Sequence, residues 1–351
     1  MVPAALLCFL THFLNEVVCF FALTRVIGDS RLLLLVAFIY DSLAFLPQGL
    51  IGMLSDRFPR FRIGALGGLL LAAGFLPLAF GTAGTFPALI VLSLGNACVH
   101  VHGAETTLRV SGGKMTPPAV FVGAGSFGLI SGKLLGASAC SPWPVFLLAL
   151  LLIPLTLWAD RARFASPAAE GPLSGFRYHD ESKGPGFVLL AAVLIVAIRS
   201  YMSYGIPTGW NQTVAENVLL FCFLGLGKAL GGVAIDRLGI RPTAILSIAL
   251  SLPFLLAGDR LMAVSLIGLL LFSMTMPVTL AILVSLLPEE PGLAFGLTTA
   301  ALFLGTLPGF FFRISDPLAN ALLFSAFTVL SLALCLPALP KKKASGTRSE
   351  T

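Results

Sequence analysis

Charge is scarce in this 351-residue chain: Asp, Glu, Lys and Arg make up 11% of it, against 57% hydrophobic residues. A water-soluble domain carries about a quarter charged residues, so a soluble globule is excluded and most of the surface must face lipid. Cysteine is also sparse. Cys8, Cys19, Cys98, Cys140, Cys222 and Cys335 lie in or beside apolar segments, none at metal-finger spacing, which excludes a disulfide or zinc framework. No nucleotide-binding loop is present, so a gradient rather than a nucleotide is the natural power source. The period-two alternation of a membrane barrel is missing. No cleavable signal is visible, because the first apolar run continues past Glu16 to about Val26. The net charge of +6 does not mark a nucleic-acid binder, since the basic residues sit at the ends of apolar runs.

What remains is a succession of apolar runs, each near the roughly 20 residues that cross a bilayer as a helix. Twelve are expected: 3–25, 31–54, 62–81, 86–109, 117–139, 142–159, 186–206, 213–235, 241–258, 261–287, 292–313 and 317–338. With the N-terminus in the cytoplasm, 15 of the 22 Lys and Arg residues fall on the inner side and four (Arg25, Arg31, Arg260, Arg313) on the outer side. The positive-inside rule then puts both termini in the cytoplasm. The polar stretch 160–185, rich in Pro, Gly and Ser, reads as a cytoplasmic linker. It separates a six-helix bundle at 1–159 from another at 186–338, and 339–351 is a basic tail that sets orientation. The fold class is an all-α membrane protein of twelve helices in two six-helix pseudo-symmetric halves, expected as a monomer without cofactor.

One charged turn occurs twice. GMLSDRFPRFR (52–62) and GGVAIDRLGIR (231–241) each follow the second span of their half, with Asp56 and Asp236 180 residues apart. Gln48 and Lys228 each lie eight residues before the aspartate. Equivalent turns half a chain apart indicate parallel repeats. Gly52, Asp56, Arg57, Arg60 and Arg62 resemble the signature loop of the major facilitator superfamily, and Gly232, Asp236, Arg237, Gly239 and Arg241 resemble its second copy. Within that superfamily, LTHFLNE (10–16), GNACVHVHGAE (95–105), SGGKMTPPAVFVGAGSFG (111–128), AIRSYMSYG (197–205) and LPEEPGLAFGL (287–297) look like the fosmidomycin-resistance-type branch of drug exporters. The resemblance implies alternating access, gating by the two charged turns, exchange of substrate for protons, and a place in the plasma membrane of a bacterium (the inner membrane of a Gram-negative one). Two positions depart from the pattern: His102 precedes Gly103 rather than a proline, and Lys133 stands where antiporters carry a proline.

Ionisable groups inside the membrane cost about 2.5–3.5 kcal/mol at the centre, so each needs a role or a partner. Glu16, Asp41 and Lys133 fall at similar depth and are read as one cluster, either a proton-coupling site or a static salt bridge. Arg199, with Tyr201 and Tyr204, is the candidate for an anionic substrate group or for pairing with an acid across a cavity. His100 and His102 point about 200° apart on a helix. His102 and Glu105 share a face and join Asn15 as cavity candidates, while His12 can reach Glu16. A metal site from Cys98, His100 and His102 fails the same geometry, so no metal is expected. Lys228 could snorkel to the inner leaflet. The acids of LPEEPG are read as starting the eleventh helix. Three functions compete: proton-driven efflux of a drug or metabolite (an antiporter conferring antibiotic resistance), import or exchange of an anionic metabolite, and a non-transporting membrane sensor or assembly partner.

Overall fold

Inside hydrocarbon a backbone must satisfy its own hydrogen bonds, which long apolar runs do by becoming helices. The computed structural model describes residues 2–26, 33–78, 81–165, 171–312 and 314–341, and its regular structure is helical throughout. The helices are α1 (Val2–Val26), α2 (Leu33–Phe45 and Gln48–Arg57), α3 (Ile63–Leu78), α4 (Thr85–Val110), α5 (Thr116–Ala137) and α6 (Pro142–Phe164). After the intervening segment come α7 (Pro185–Tyr204), α8 (Val214–Leu238), α9 (Ile240–Ala257), α10 (Met262–Leu286), α11 (Pro291–Thr306) and α12 (Pro317–Ala338). Eleven of these are long and apolar enough to cross a membrane. The third expected span is described as the 16-residue α3, about 24 Å at 1.5 Å per residue, short of the roughly 30 Å hydrocarbon core.

Three helices are interrupted where the sequence weakens the ladder. α2 breaks at Leu46 and Pro47, whose ring removes a backbone donor. α9 passes through a π-helical turn at Leu246–Leu250, and α10 bends at Met274, just ahead of Pro277. α2 and α8 run on through Asp56 and Asp236, so both aspartates sit in a last helical turn rather than in a loop.

In the first half, α1 packs on α4, α5 and α6, and α3 on α4 and α6; in the second, α7 packs on α10, α11 and α12, and α8 on α10. The halves meet through two equivalent pairs, α2 with α11 and α5 with α8. Outward faces are apolar: Trp143 and Phe312 are each 71% exposed, with Leu6, Leu190 and Leu322 also bare. That is the surface of a multi-pass membrane protein.

The stretch expected as a linker differs from a loose tether. α6 carries Asp160, Arg161 and Arg163 within its last turns. Leu173 and Phe176 are buried in the core shared by both halves. The Leu173 amide donates to Pro288 O (2.8 Å) and the Asp180 amide to Ala338 O (2.8 Å). Tyr178 donates to Gly113 O (2.9 Å), and burial, helped by the charge of Asp236, pushes its hydroxyl pKa up to about 12. Polar composition concealed two apolar anchors, which dock this segment across the face bearing the charged turns. All six cysteines are free. Arg31, Arg313 and the tail from 342 lie outside the described residues.

Candidate functional site

A helix start presents unbonded N–H groups and a positive dipole end, a natural seat for a carboxylate. Asp56, closing α2, uses that seat on α11: Oδ1 accepts from Gly292 N (3.0 Å) and Oδ2 from Leu293 N (2.9 Å). Asp236, closing α8, does the same on α5, accepting from Met115 N and Thr116 N (2.8 Å each) and from the Thr116 hydroxyl (2.5 Å). Each bond joins opposite halves. The signature glycines let the helices come close enough. A Cβ on Gly52 would lie 2.1 Å from Gly292 O, and one on Gly232 would lie 2.3 Å from the Ala119 Cβ. Of the acids of LPEEPG, Glu290 stands at the start of α11 as its N-cap but makes no side-chain bond there, and Asp56 supplies the carboxylate that caps the amides.

Behind Asp56 lies a buried charge network. Glu105 accepts from Arg109 Nε (2.8 Å), Arg163 Nη2 (2.6 Å) and the Ser55 hydroxyl (2.5 Å). Arg109 Nη2 reaches on to Asp56 Oδ1 at 3.4 Å. His102 Nε2 meets Asp160 Oδ1 at 2.9 Å, and Arg62 pairs with the other oxygen at 3.2 Å.

A second cluster sits deeper, between α1, α2, α4, α5 and α8. The Glu16 carboxylate is buried, with Oε1 receiving Asn15 Nδ2 (3.0 Å) and Asn96 Nδ2 (3.4 Å). Asn96 also bonds the Tyr40 hydroxyl. His100 Nε2 lies 3.3 Å and His12 Nε2 4.0 Å from Glu16 Oε1. Lys228 reaches across from α8, donating to Ser126 on α5 at 3.0 Å, and its charge acts on Glu16, as does that of Asp41.

No protein-family model matches the sequence, and no curated protein does. Solved structures match closely in shape. The E. coli fucose:proton symporter FucP superposes with a TM-score of 0.62 at 16% identity, covering 95% of this chain and 98% of that one. The human organic anion transporter MFSD10 (TETRAN) gives 0.63 at 15% identity, covering 95% and 99%. A major facilitator superfamily transporter structure of FucP in the outward conformation gives 0.50 at 14% identity, covering 93% and 99%.

The chain has the major facilitator fold.

Within that fold the expected residues separate into distinct places. Lys133 does not join Glu16 and Asp41: its ammonium lies over the Phe221 ring (5.3 Å) on an exposed side of α5. The glycines on either side of it explain why. Gly128, Gly132 and Gly136 face α1, so residue 133, about 100° around from 132, turns away. Lys228, expected to face protein or water near the inner leaflet, faces protein, donating to Ser126 on α5. His102 and Glu105 are both buried but serve different partners in the network behind Asp56, so they do not line one shared cavity. His100, opposite His102 on the helix, is the one that meets Glu16 together with Asn15. It had no place among the expected site residues; its spacing from Asn96, one helical turn earlier, was the available signal.

Arg199 also differs from its expected place between the halves. It is buried inside the second half, stacked on Phe272 with 3.5 Å to the ring centroid. Its Nη2 donates to Ser247 O (3.0 Å), Phe272 O (3.3 Å) and the Ser251 hydroxyl (3.4 Å). The π turn of α9 and the bend of α10 aim carbonyls inward, which is why a guanidinium settles there. Among the described residues it has no carboxylate partner, and Nε and Nη1 are unbonded. Tyr201 and Tyr204 line a cleft of about 440 Å³ at the end far from the charged turns, with Asp259, Asp316 and Asn320. Arg57 and Arg237 are exposed, Arg60 borders a cleft of about 370 Å³ with Asp56 and Arg109, and Arg241 reaches Leu339 O at 3.4 Å.

Proposed function

We propose that this protein is a secondary active transporter that moves a small molecule across a bacterial plasma membrane by alternating access. It works as two six-helix halves with both termini and the charged turns on the cytoplasmic side. The observation that carries this is the reciprocal pair of caps, Asp56 on α11 and Asp236 on α5. Each is a bond between halves that must break for that face to open, and four backbone N–H groups wait at fixed positions for its return. With those caps made, the cytoplasmic side is shut.

The power source in this reading is a cation gradient, with protons as the first candidate, and the direction is efflux. Support comes from the convergence on Glu16 of His12, His100, Asn15 and Asn96 from one half and Lys228 from the other, so that an ion arriving there alters the contact between halves. The fucose:proton symporter of the same fold couples to protons. The test is purified protein in liposomes, with a trapped pH dye, an imposed gradient and a panel of organic anions, sugars and amphipathic drugs. A solute-dependent proton flux that disappears in Asp56→Asn/Asp236→Asn is expected. If no solute moves under any gradient, a non-transporting membrane protein becomes the better reading.

The buried Arg199 supports a second reading, import or exchange of an anionic metabolite, since two of its nitrogens lack partners. The fold is shared with an organic anion transporter. Uptake of an organic anion by the wild type that is unchanged in Arg199→Ala removes Arg199 from this role.

A further inference from the structure

The cluster at Glu16 has a feature that a simple ion pair does not need. His12 Nδ1 lies 2.6 Å from Phe121 O, and His100 Nδ1 lies 3.1 Å from Asn96 O. A backbone carbonyl only accepts, so both Nδ1 atoms carry hydrogen, which leaves each Nε2 free to serve as a ligand whenever its imidazole is neutral. Those two Nε2 atoms and a Glu16 oxygen lie within 4.8 Å of one another, all three side chains being buried. Two ring nitrogens and a carboxylate oxygen thus converge on one point inside the first half. Nδ1–H held by a carbonyl, with Nε2 directed at a shared point, is how ligating histidines are oriented.

We propose that His12, Glu16 and His100 form a binding site for a divalent first-row transition-metal ion. This rests on the transport reading only for its biological use, since the ion would be cargo or coupling ion, and not for the binding itself. Two imidazoles and one carboxylate suit zinc, cobalt, nickel or copper rather than calcium or magnesium, which take oxygen ligands. The 3.3 Å between His100 Nε2 and Glu16 Oε1 is already about the edge of a tetrahedron with metal–ligand bonds of about 2.0–2.1 Å. His12, 4.0 Å from the same oxygen, needs to close by under an ångström. Asn15, the residue next to Glu16, turns its Nδ2 to the carboxylate (3.0 Å) and keeps a buried Oδ1 without a hydrogen-bond partner. Lys228, which reaches over from the other half, is engaged with Ser126 at 3.0 Å rather than with the three ligands. All three ligands come from α1 and α4 of one half, so the site is preformed and does not wait on the gate.

The test uses the full-length protein in detergent with any affinity tag removed, and Zn²⁺ and Co²⁺ as probes. Equilibrium dialysis is expected to give one Zn²⁺ per chain, and Co²⁺ to give the visible absorption of a low-symmetry nitrogen and oxygen site. His12→Gln and His100→Gln should each weaken binding about tenfold or more, while His179→Gln, which alters a histidine 2.8 Å from the Ser285 hydroxyl near the charged turns, should leave the stoichiometry at one. Melting curves of the metal-free variants check that they fold; if Glu16→Gln does not, the two histidine variants carry the test. No uptake by the wild type, or full affinity in His100→Gln, overturns the site. Since no gradient is applied, that result leaves the transport reading standing, and absent transport with retained binding leaves the metal site standing.

Discussion

The two halves share a backbone plan but not a chemistry. Asp56 and Asp236 occupy equivalent places and make equivalent caps. Asp56, however, is backed by Arg109, Glu105 and Arg163, whereas Asp236 is exposed and relies on the start of α5 alone. Deeper in, the first half holds His12, Glu16 and His100, and the second holds Arg199 among carbonyls and Phe272. Repetition therefore preserves what the fold needs, close helix crossings and capped ends. Among the described residues the buried acids and imidazoles lie in the first half, the second keeps the guanidinium of Arg199 to itself, and Lys228 leans across to Ser126.

This asymmetry can be broken experimentally. The largest effect is expected at Glu105, which has two buried guanidinium partners. Glu105→Ala strips Arg163 of its carboxylate and leaves Arg109 only the 3.4 Å contact with Asp56, and should destabilise the fold by about 3–5 kcal/mol, read as a fall in thermal midpoint in detergent. Next come the glycines. In Gly52→Ala the new methyl meets backbone at Gly292, so the crossing of α2 with α11 should loosen, seen as faster labelling of a cysteine placed at Ser55. Gly232→Ala, which meets a side-chain methyl at Ala119 as well as Met115 O, should loosen the crossing of α8 with α5 less. The aspartates follow. Asp56→Ala should cost about 2 kcal/mol, for the lost cap and a partner taken from Arg109, against about 1 kcal/mol for Asp236→Ala. Equal costs would remove the distinction drawn between the two gates. The smallest change is Asp316→Ala, which loses a cap on Ala319 N within one helix and should cost about 1 kcal/mol without altering labelling at the gate.

Much of this architecture was legible in sequence because it depends on run length and repetition. The apolar runs predict the helices to within a few residues, since hydrocarbon thickness fixes how long a span must be. The charged turns predict equivalent positions, because an aspartate with a nearby glycine is needed wherever one helix end caps another at close range. Azimuth was harder to read. Glu16, Asp41 and Lys133 share a depth, yet depth says nothing about which neighbour a side chain faces. The glycine face of α5 turns toward α1 and carries Lys133 off to Phe221. Arg199 was misplaced for a related reason: a π turn in α9 and a bend in α10 release carbonyls, and neither leaves a mark in hydropathy. Leu173 and Phe176 dock a segment whose composition is otherwise that of a free loop.

The caps have a consequence for ancestry. The carboxylate always ends the second helix of one half, and the waiting amides always begin the fifth helix of the other. A single six-helix unit thus owns both plug and socket. Two copies facing each other about a two-fold axis would close both contacts at once, as any self-complementary dimer does. On that view the present chain is a fused homodimer whose two originally identical locks were free to diverge once they shared one gene. The heavily braced Asp56 and the lightly held Asp236 are two versions of that one clasp.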